Sequence, residues 1–145
     1  MSDHAPVLGF DFGQRRIGVA VGNRLTATAR PLGFLAGGDH PDWAAIADLI
    51  REWQPGRLIV GRPARLNGER SELTDAAERF ARRLHARFAL PVDRADERLS
   101  SREAEARLRA ARQQGRRRSV AKGESDAVAA QIILETWLER SPACA

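Results

Sequence analysis

Apolar residues along this chain keep two periods and switch between them. Near the start the runs are short and strand-like. Val7–Asp11 (VLGFD) reads as a buried strand, Arg16–Val21 (RIGVAV) as a second and Thr26–Leu35 as a third. Gly13 and then Gly22-Asn23 supply turn residues between them. Connections this short favour an antiparallel meander, because a parallel pair needs a crossover of about a dozen residues or more. Gly37-Gly38 and Pro41 then mark a loop.

Beyond the loop the period lengthens. Trp43, Ile46, Leu49, Ile50 and Trp53 recur at helical spacing, so Asp42–Trp53 is predicted as an amphipathic helix, ended by Pro55-Gly56. Arg57–Val60 (RLIV) reads as a brief buried strand and Gly61 to Gly68 (GRPARLNG) as a loop rich in breakers. A second helix is predicted over Ser71–Phe88, with Leu73, Ala77, Phe80, Leu84 and Phe88 on one face, then a fifth strand over Pro91–Ala95. Ser100-Ser101-Arg102-Glu103 fits a capping box, opening a helix with only a thin stripe of Ala104, Leu108 and Ala111. Gln113–Gly123 reads as a polar, basic, mobile loop, and Ser125–Glu139 as the last helix.

The predicted order is three strands, then strands and helices in alternation. It implies an α/β fold: a mixed five-stranded sheet, antiparallel meander plus parallel strands, flanked by helices. A length of 145 residues suits a single domain over 1–145, with 1–6 and 141–145 expected as disordered tails. Hydrophobic residues at 43% and charged residues at 30% are those of a soluble globular chain. No apolar run approaches the roughly 20 residues a membrane span needs, so no membrane partner is expected. Met1–Pro6 carries Asp3 and no hydrophobic signal core, which makes the cytoplasm the expected location. The one cysteine, Cys144, excludes an internal disulfide and a cysteine-based zinc site, and no disulfide-linked partner is expected. His4, His40 and His85 are far apart, and His85 is expected at the surface.

Charge narrows the partner. The net charge of +5 and pI near 11.0 point to an anionic ligand, nucleic acid above all. Of 24 basic residues only Lys122 is lysine. In so arginine-biased a chain, a retained lysine suggests a position that needs a compact ammonium rather than a planar fork. The run Arg107, Arg109, Arg112, Arg116, Arg117, Arg118, Lys122 is a candidate phosphate-binding patch, with a solvated face as its plain alternative.

Three carboxylates sit where stability alone would not place them. Asp11 interrupts the apolar run VLGFDF, Glu97 follows the fifth strand, and Asp126 lies in the first turn of the apolar last helix. A buried carboxylate is costly unless it is paired or holds a metal. By spacing, Asp126 shares a face with Ala129, Ala130, Ile133 and Trp137, so it is aimed inward. The plain alternatives are an Asp capping a hairpin at 11, a solvated turn at 96–97, and an Asp complementing the helix dipole at 126. Three such groups converging from separate elements would hold Mg²⁺ or Mn²⁺, hard ions that prefer oxygen ligands, and would serve phosphodiester cleavage. Of the adjacent pair Asp96-Glu97, one faces the site if the backbone is extended; Glu97 is the choice, with Asp96 paired to an arginine.

Two loops add candidates. Asp11-Phe12-Gly13 with Gly18 gives D-x-G-x-x-x-x-G, a pattern that opens both metal-dependent nucleases and ATPases of the actin and sugar-kinase type. Arg62, Arg65 and Asn67 follow the carboxyl end of a parallel strand, where ligands of open α/β sheets gather.

Taken together, the segments LGFDFGQRRIGVAVG at 8–22, TARPL at 28–32, DWAAIADLIREWQP at 42–55, LIVGRP at 58–63, DERLS at 96–100 and KGESDAVAAQIILE at 122–135 resemble the YqgF family, also called RuvX or Holliday-junction-resolvase-like proteins. The resemblance covers nearly the whole chain in the expected order. It implies a ribonuclease H-like fold and a nuclease acting at the 5′ end of the small-subunit rRNA precursor. Carried over residue by residue, the family's acidic trio falls on Asp11, Glu97 and Asp126, and its basic residues on Arg16 and Lys122. Two departures stand out. Gly22-Asn23 replaces an acidic residue common after the second strand, and Arg62 replaces an aliphatic one.

The resulting expectation is a Mg²⁺- or Mn²⁺-dependent nuclease in ribosome biogenesis, with Asp11, Glu97 and Asp126 as catalytic metal ligands. Arg16, Arg62, Arg65, Asn67, Arg98, Arg116, Arg117, Arg118 and Lys122 are the expected nucleic-acid contacts. RNA is the expected partner, branched DNA the other candidate. The rivals are an RNA-binding assembly factor that cleaves little, and a resolvase of four-way DNA junctions, which would need a dimer. A sugar-kinase-like ATPase fits least, since no second phosphate motif is evident.

Overall fold

The computed structural model describes residues 5–62, 72–96, 106–107, 109–110 and 122–140; of residues 62, 72, 73, 96 and 122–126 it describes the backbone alone. Among the described residues eight elements follow one another: β1 (Val7–Asp11), β2 (Arg16–Asn23), β3 (Thr28–Ala36), α1 (Trp43–Trp53), β4 (Arg57–Arg62), α2 (Glu72–Phe88), β5 (Val92–Asp96) and α3 (Lys122–Arg140). The strands form one sheet in the order β3-β2-β1-β4-β5. β1 pairs antiparallel with β2 and parallel with β4, and β5 continues the parallel half. The meander and the parallel strands are those expected from the connection lengths.

Alternation along the strands divides the core in two. Leu8 and Phe10 of β1, Ile17, Val19 and Val21 of β2, and Leu58 and Val60 of β4 pack with Ile46 of α1 and with Ala77, Phe80, Ala81 and Leu84 of α2. The other phase, Val7, Ala20, Ile59 and Ala95, packs against Ala129, Ala130, Ile132, Ile133, Leu134 and Leu138 of α3. The short side chains on that face let α3 lie close to the sheet: a Cβ placed on Gly9 would stand 3.1 Å from Leu134 Cβ. Gln131 Nε2 donates to the Ala29 carbonyl at 3.0 Å and ties α3 to the edge strand β3.

Several boundaries differ from expectation, each for a local physical reason. β2 runs on to Asn23 because Gly22 and Asn23 pair with Ala29 and Thr28. The turn moves to 24–27, where Asn23 Oδ1 accepts from Leu25 N at 2.8 Å and Thr26 N at 3.4 Å. β3 therefore begins at Thr28 rather than Thr26. As an edge strand it tolerates Pro31, and the register shift between Val19 and Ala20 leaves Leu32 unpaired. Asp42 caps α1 through Oδ1, which accepts from Ala45 N at 3.1 Å, and Gln54 ends it in a left-handed conformation.

Gly61 and Arg62, expected as loop, are the last two residues of β4, and Asp96 is the last of β5; the pairs Gly61↔Ala95 and Arg62↔Asp96 hold both strands together to the end. The last helix begins at Lys122, not Ser125, which takes Lys122 and Gly123 out of the expected loop. Of the expected N-terminal tail, residues 5 and 6 are described, and the Pro6 carbonyl accepts from Gly56 N at 3.0 Å. The remaining tail residues, 1–4 and 141–145, the capping box at 100–103 and the rest of the loop from 113 to 121 lie outside the described residues. Among the described residues no helix is long and apolar enough to cross a membrane.

Candidate functional site

Asp11 is the last residue of the central strand β1. Val7 packs toward α3 and Leu8 away from it, so alternation puts position 11 on the α3 face. Its lateral partners are Gly18 of β2 and Gly61 of β4. Neither brings a side chain, so the half-buried carboxylate stands between two bare stretches of backbone. An acidic group there terminates the strand where its pairing ends, and where a ligand can approach.

The three parallel strands β1, β4 and β5 end together, at Asp11, Arg62 and Asp96. The direction of α3 follows from its contacts. A Cβ on Gly61, near that end, would stand 2.9 Å from Ile133 Cδ1, and one on Gly22, which pairs with Val7 at the far end, 2.8 Å from Leu138 Cδ1. α3 thus runs antiparallel to β1. Residue 126 precedes Ile133 by two turns, about 10 Å along the axis, and so lies toward the Asp11 end. It is the fifth helical residue rather than a first-turn residue. The dipole explanation for Asp126 weakens accordingly, because that effect fades beyond the first turn.

The turn that follows Asp11 is held from a distance. Gly37 N donates to the Arg15 carbonyl at 3.0 Å and Gly38 N to the Gly13 carbonyl at 3.1 Å. Gly13, a turn residue by sequence, is constrained by crowding, since a Cβ there would stand 2.5 Å from the Arg16 carbonyl oxygen. Arg16 opens β2 on the same face as Gly18, with its guanidinium 5.9 Å from the centre of the Phe34 ring. The sequence reading did not single out Phe34, which is 53% exposed on the edge strand. In sequence it stands beside Gly33, between the partly buried Leu32 and Leu35. On the opposite face, a cleft of about 530 Å³ opens beside the same turn, lined by Phe12, Gln14, Gly38, Asp39, Asp75 and Arg79.

Of the expected site residues, the structure therefore describes Asp11 and Arg16 fully, and the backbone of Arg62, Lys122 and Asp126. It brings Asp11, Arg62 and the first turns of α3 to one end of the sheet. Glu97, Arg98, Arg65, Asn67, Arg116, Arg117 and Arg118 lie outside the described residues. Among the described residues no three acidic, histidine or cysteine side chains converge as a metal site. Asp11 by itself fits one ligand position: a hard oxygen donor at a strand end, with glycine on either side. His85, expected at the surface, is exposed, with Nδ1 2.9 Å from the Leu90 carbonyl oxygen.

Comparison with known proteins agrees with this arrangement. Residues 5–140 match the RuvX family, described as Holliday junction resolvase. A protein of Azotobacter vinelandii named "Putative pre-16S rRNA nuclease" is 46% identical over 144 residues, covering 99% of both chains. One of Legionella pneumophila with the same name is 50% identical over 135 residues, covering 92% of this chain and 95% of that one. Among solved structures, the RuvC protein of T. thermophilus in complex with a Holliday junction substrate superposes with a TM-score of 0.53 at 16% identity, over 94% of this chain and 96% of that one. The fowlpox virus Holliday junction resolvase gives 0.53 at 14% identity, over 94% and 99%. These structures share the ribonuclease H-like fold with this chain.

Proposed function

Because this chain belongs to the RuvX family, we propose that it is a metal-dependent nuclease that processes the 5′ end of the 16S rRNA precursor. The observation that carries the reading is Asp11: a carboxylate at the end of the central strand, between two glycines, at the end of the sheet from which α3 starts. Glu97 and Asp126 complete the proposed ligand set. Glu97 rather than Asp96 is the position onto which the family's acidic trio falls.

Divalent ions held there would activate water and offset charge on the leaving oxygen. The chain's own work is to hold and orient. Asp11 is held by the register of three strands. Arg16, braced over Phe34, is in reach of phosphate charge at the same end, and Lys122, at the start of α3, would offset charge that develops on the phosphate. Arg62, Arg65, Asn67, Arg98 and Arg116 to Arg118 would grip the RNA backbone.

The test uses purified protein and precursor RNA carrying its 5′ extension, in Mg²⁺, Mn²⁺ or EDTA. Trimming in metal, abolished by EDTA and reduced more than roughly 100-fold by Asp11→Asn or Asp126→Asn, is the expected result. Firm RNA binding with no turnover in any metal would instead identify an assembly factor. The description of the matched family favours one further substrate, a four-way DNA junction. Symmetric cutting of that junction, with RNA left intact and a dimer in sedimentation, would move the assignment to a resolvase.

A further inference from the structure

The arginines of α2 are not used by the site at Asp11. Between Arg79 and Val92 the sequence holds Arg79, Arg82, Arg83 and Arg87 and no acidic residue. All four side chains are exposed. At 100° per residue they fall within an arc of about 140°, on the side of α2 opposite Ala77 and Ala81, which pack on the sheet. Among the described residues none of the four is in an ion pair. The carboxylates nearest in place are Asp75 and Asp39, which border the cleft at the Arg79 end, Asp39 also lying beside Arg83, and Glu78, one turn before Arg82 and bonded to Arg94 at 3.3 Å. The stretch with least acidic cover is therefore Arg82, Arg83 and Arg87.

Two of these groups are pre-positioned. The guanidinium carbons of Arg83 and Arg87 lie 4.9 and 4.3 Å from the centre of the Trp43 ring, which also stacks on Phe80 at 5.6 Å and lies 6.4 Å from Phe88. Arg83 Nη1 also donates to the Asp39 carbonyl at 3.3 Å. A guanidinium held over an indole keeps N–H groups for an outside acceptor and loses less side-chain freedom on binding. With Trp43 covered, the described residues of this surface offer no stacking platform for bases, so the ligand it suits is a row of phosphates. Arg82 to Arg87 span about 7.5 Å of helix, room for about two consecutive phosphates.

We propose that Arg82, Arg83 and Arg87 form a second contact surface for the RNA phosphate backbone, on the face of the sheet opposite α3. It would hold a part of the substrate distant from the scissile bond, and it rests on the reading that the ligand is RNA. It extends from the cleft beside the β1–β2 turn, where Arg79 lies, toward the start of β5.

The experiment measures binding of the full chain to the 5′ fragment of the rRNA precursor by fluorescence anisotropy, in EDTA so that nothing is cut, across a series of KCl concentrations. Substituting Arg82, Arg83 and Arg87 with Gln is expected to weaken binding and to reduce the slope of log K against log salt by about 2, given roughly 0.7 to 0.9 per phosphate contact. Arg82→Gln alone, which leaves the Trp43 stack in place, is expected to reduce it by a little under 1, and Arg51→Gln on α1 not at all. Affinity and slope equal to those of the parent overturn the inference. So does a fall in affinity with the slope unchanged, which would mark a folding defect. Retained RNA binding with lost capture by vesicles of anionic lipid also overturns it, in favour of a membrane surface. A parent that trims RNA while the variants bind normally refutes this surface alone; a parent that never trims while the variants bind poorly refutes the nuclease alone.

Discussion

The Gly13 carbonyl oxygen accepts from Gly38 N at 3.1 Å while standing 2.3 Å from where a Cβ would sit on Gly37. Two loops far apart in sequence are therefore in backbone contact at the turn between Asp11 and Arg16. Gly38, at φ 75° and with the Gln14 carbonyl oxygen 2.5 Å from a Cβ position, completes the clamp. Gly37→Ala must displace one backbone or the other. It is expected to cost about 1–3 kcal/mol, lowering Tm by several degrees, and to reduce cleavage with it. Unchanged melting and activity would show that the loops can part freely.

Phe80 joins three aromatic neighbours, with ring centres 5.8 Å from Phe10, 5.1 Å from Phe12 and 5.6 Å from Trp43. It is buried, so Phe80→Ala is expected to cost about 3–5 kcal/mol in urea denaturation. Phe34→Ala removes a ring of similar size that is 53% exposed, and should cost less than about 1 kcal/mol, most of it the contact with Arg16. Equal losses at the two positions would contradict the burial difference.

Binding of divalent ions should register without any RNA present. If Mn²⁺ binds the folded chain at the Asp11 end, saturation at 100 times its Kd raises stability by about 2.7 kcal/mol. Asp11→Asn should remove that increase while the variant remains folded. The same rise in Tm in the variant would place the ion elsewhere.

Arg57 Nη1 and Asp93 Oδ2 are 3.0 Å apart and join β4 to the edge strand β5, with side chains 31% and 41% exposed. A double-mutant cycle with Arg57→Gln and Asp93→Asn is expected to give a coupling of about 0.2–1 kcal/mol, shrinking in 1 M salt. A coupling above 2 kcal/mol, indifferent to salt, would mean the pair is shielded from water in solution.

Much of this molecule is decided by its sequence alone. The elements are local, and so is their evidence: Leu8 and Phe10 alternate with Val7 and Gly9, while Trp43, Ile46 and Ile50 repeat at helical spacing, because each period reports which side of the backbone meets apolar neighbours. The same logic made Asp11 conspicuous, a charge at the end of an apolar run. What the sequence left open is whatever depends on partners remote along the chain. The last residues of β4 and β5 are strand because Arg62 pairs with Asp96, although GRPARLNG reads as breakers. The turn after Asp11 is shaped by Gly37 and Gly38, and residue 126 stands at that end of the sheet only because α3 crosses it antiparallel to β1. Strand ends, helix direction and the neighbours of a carboxylate are set by hydrogen bonds and close packing between distant segments, and only the tertiary structure brings those segments together.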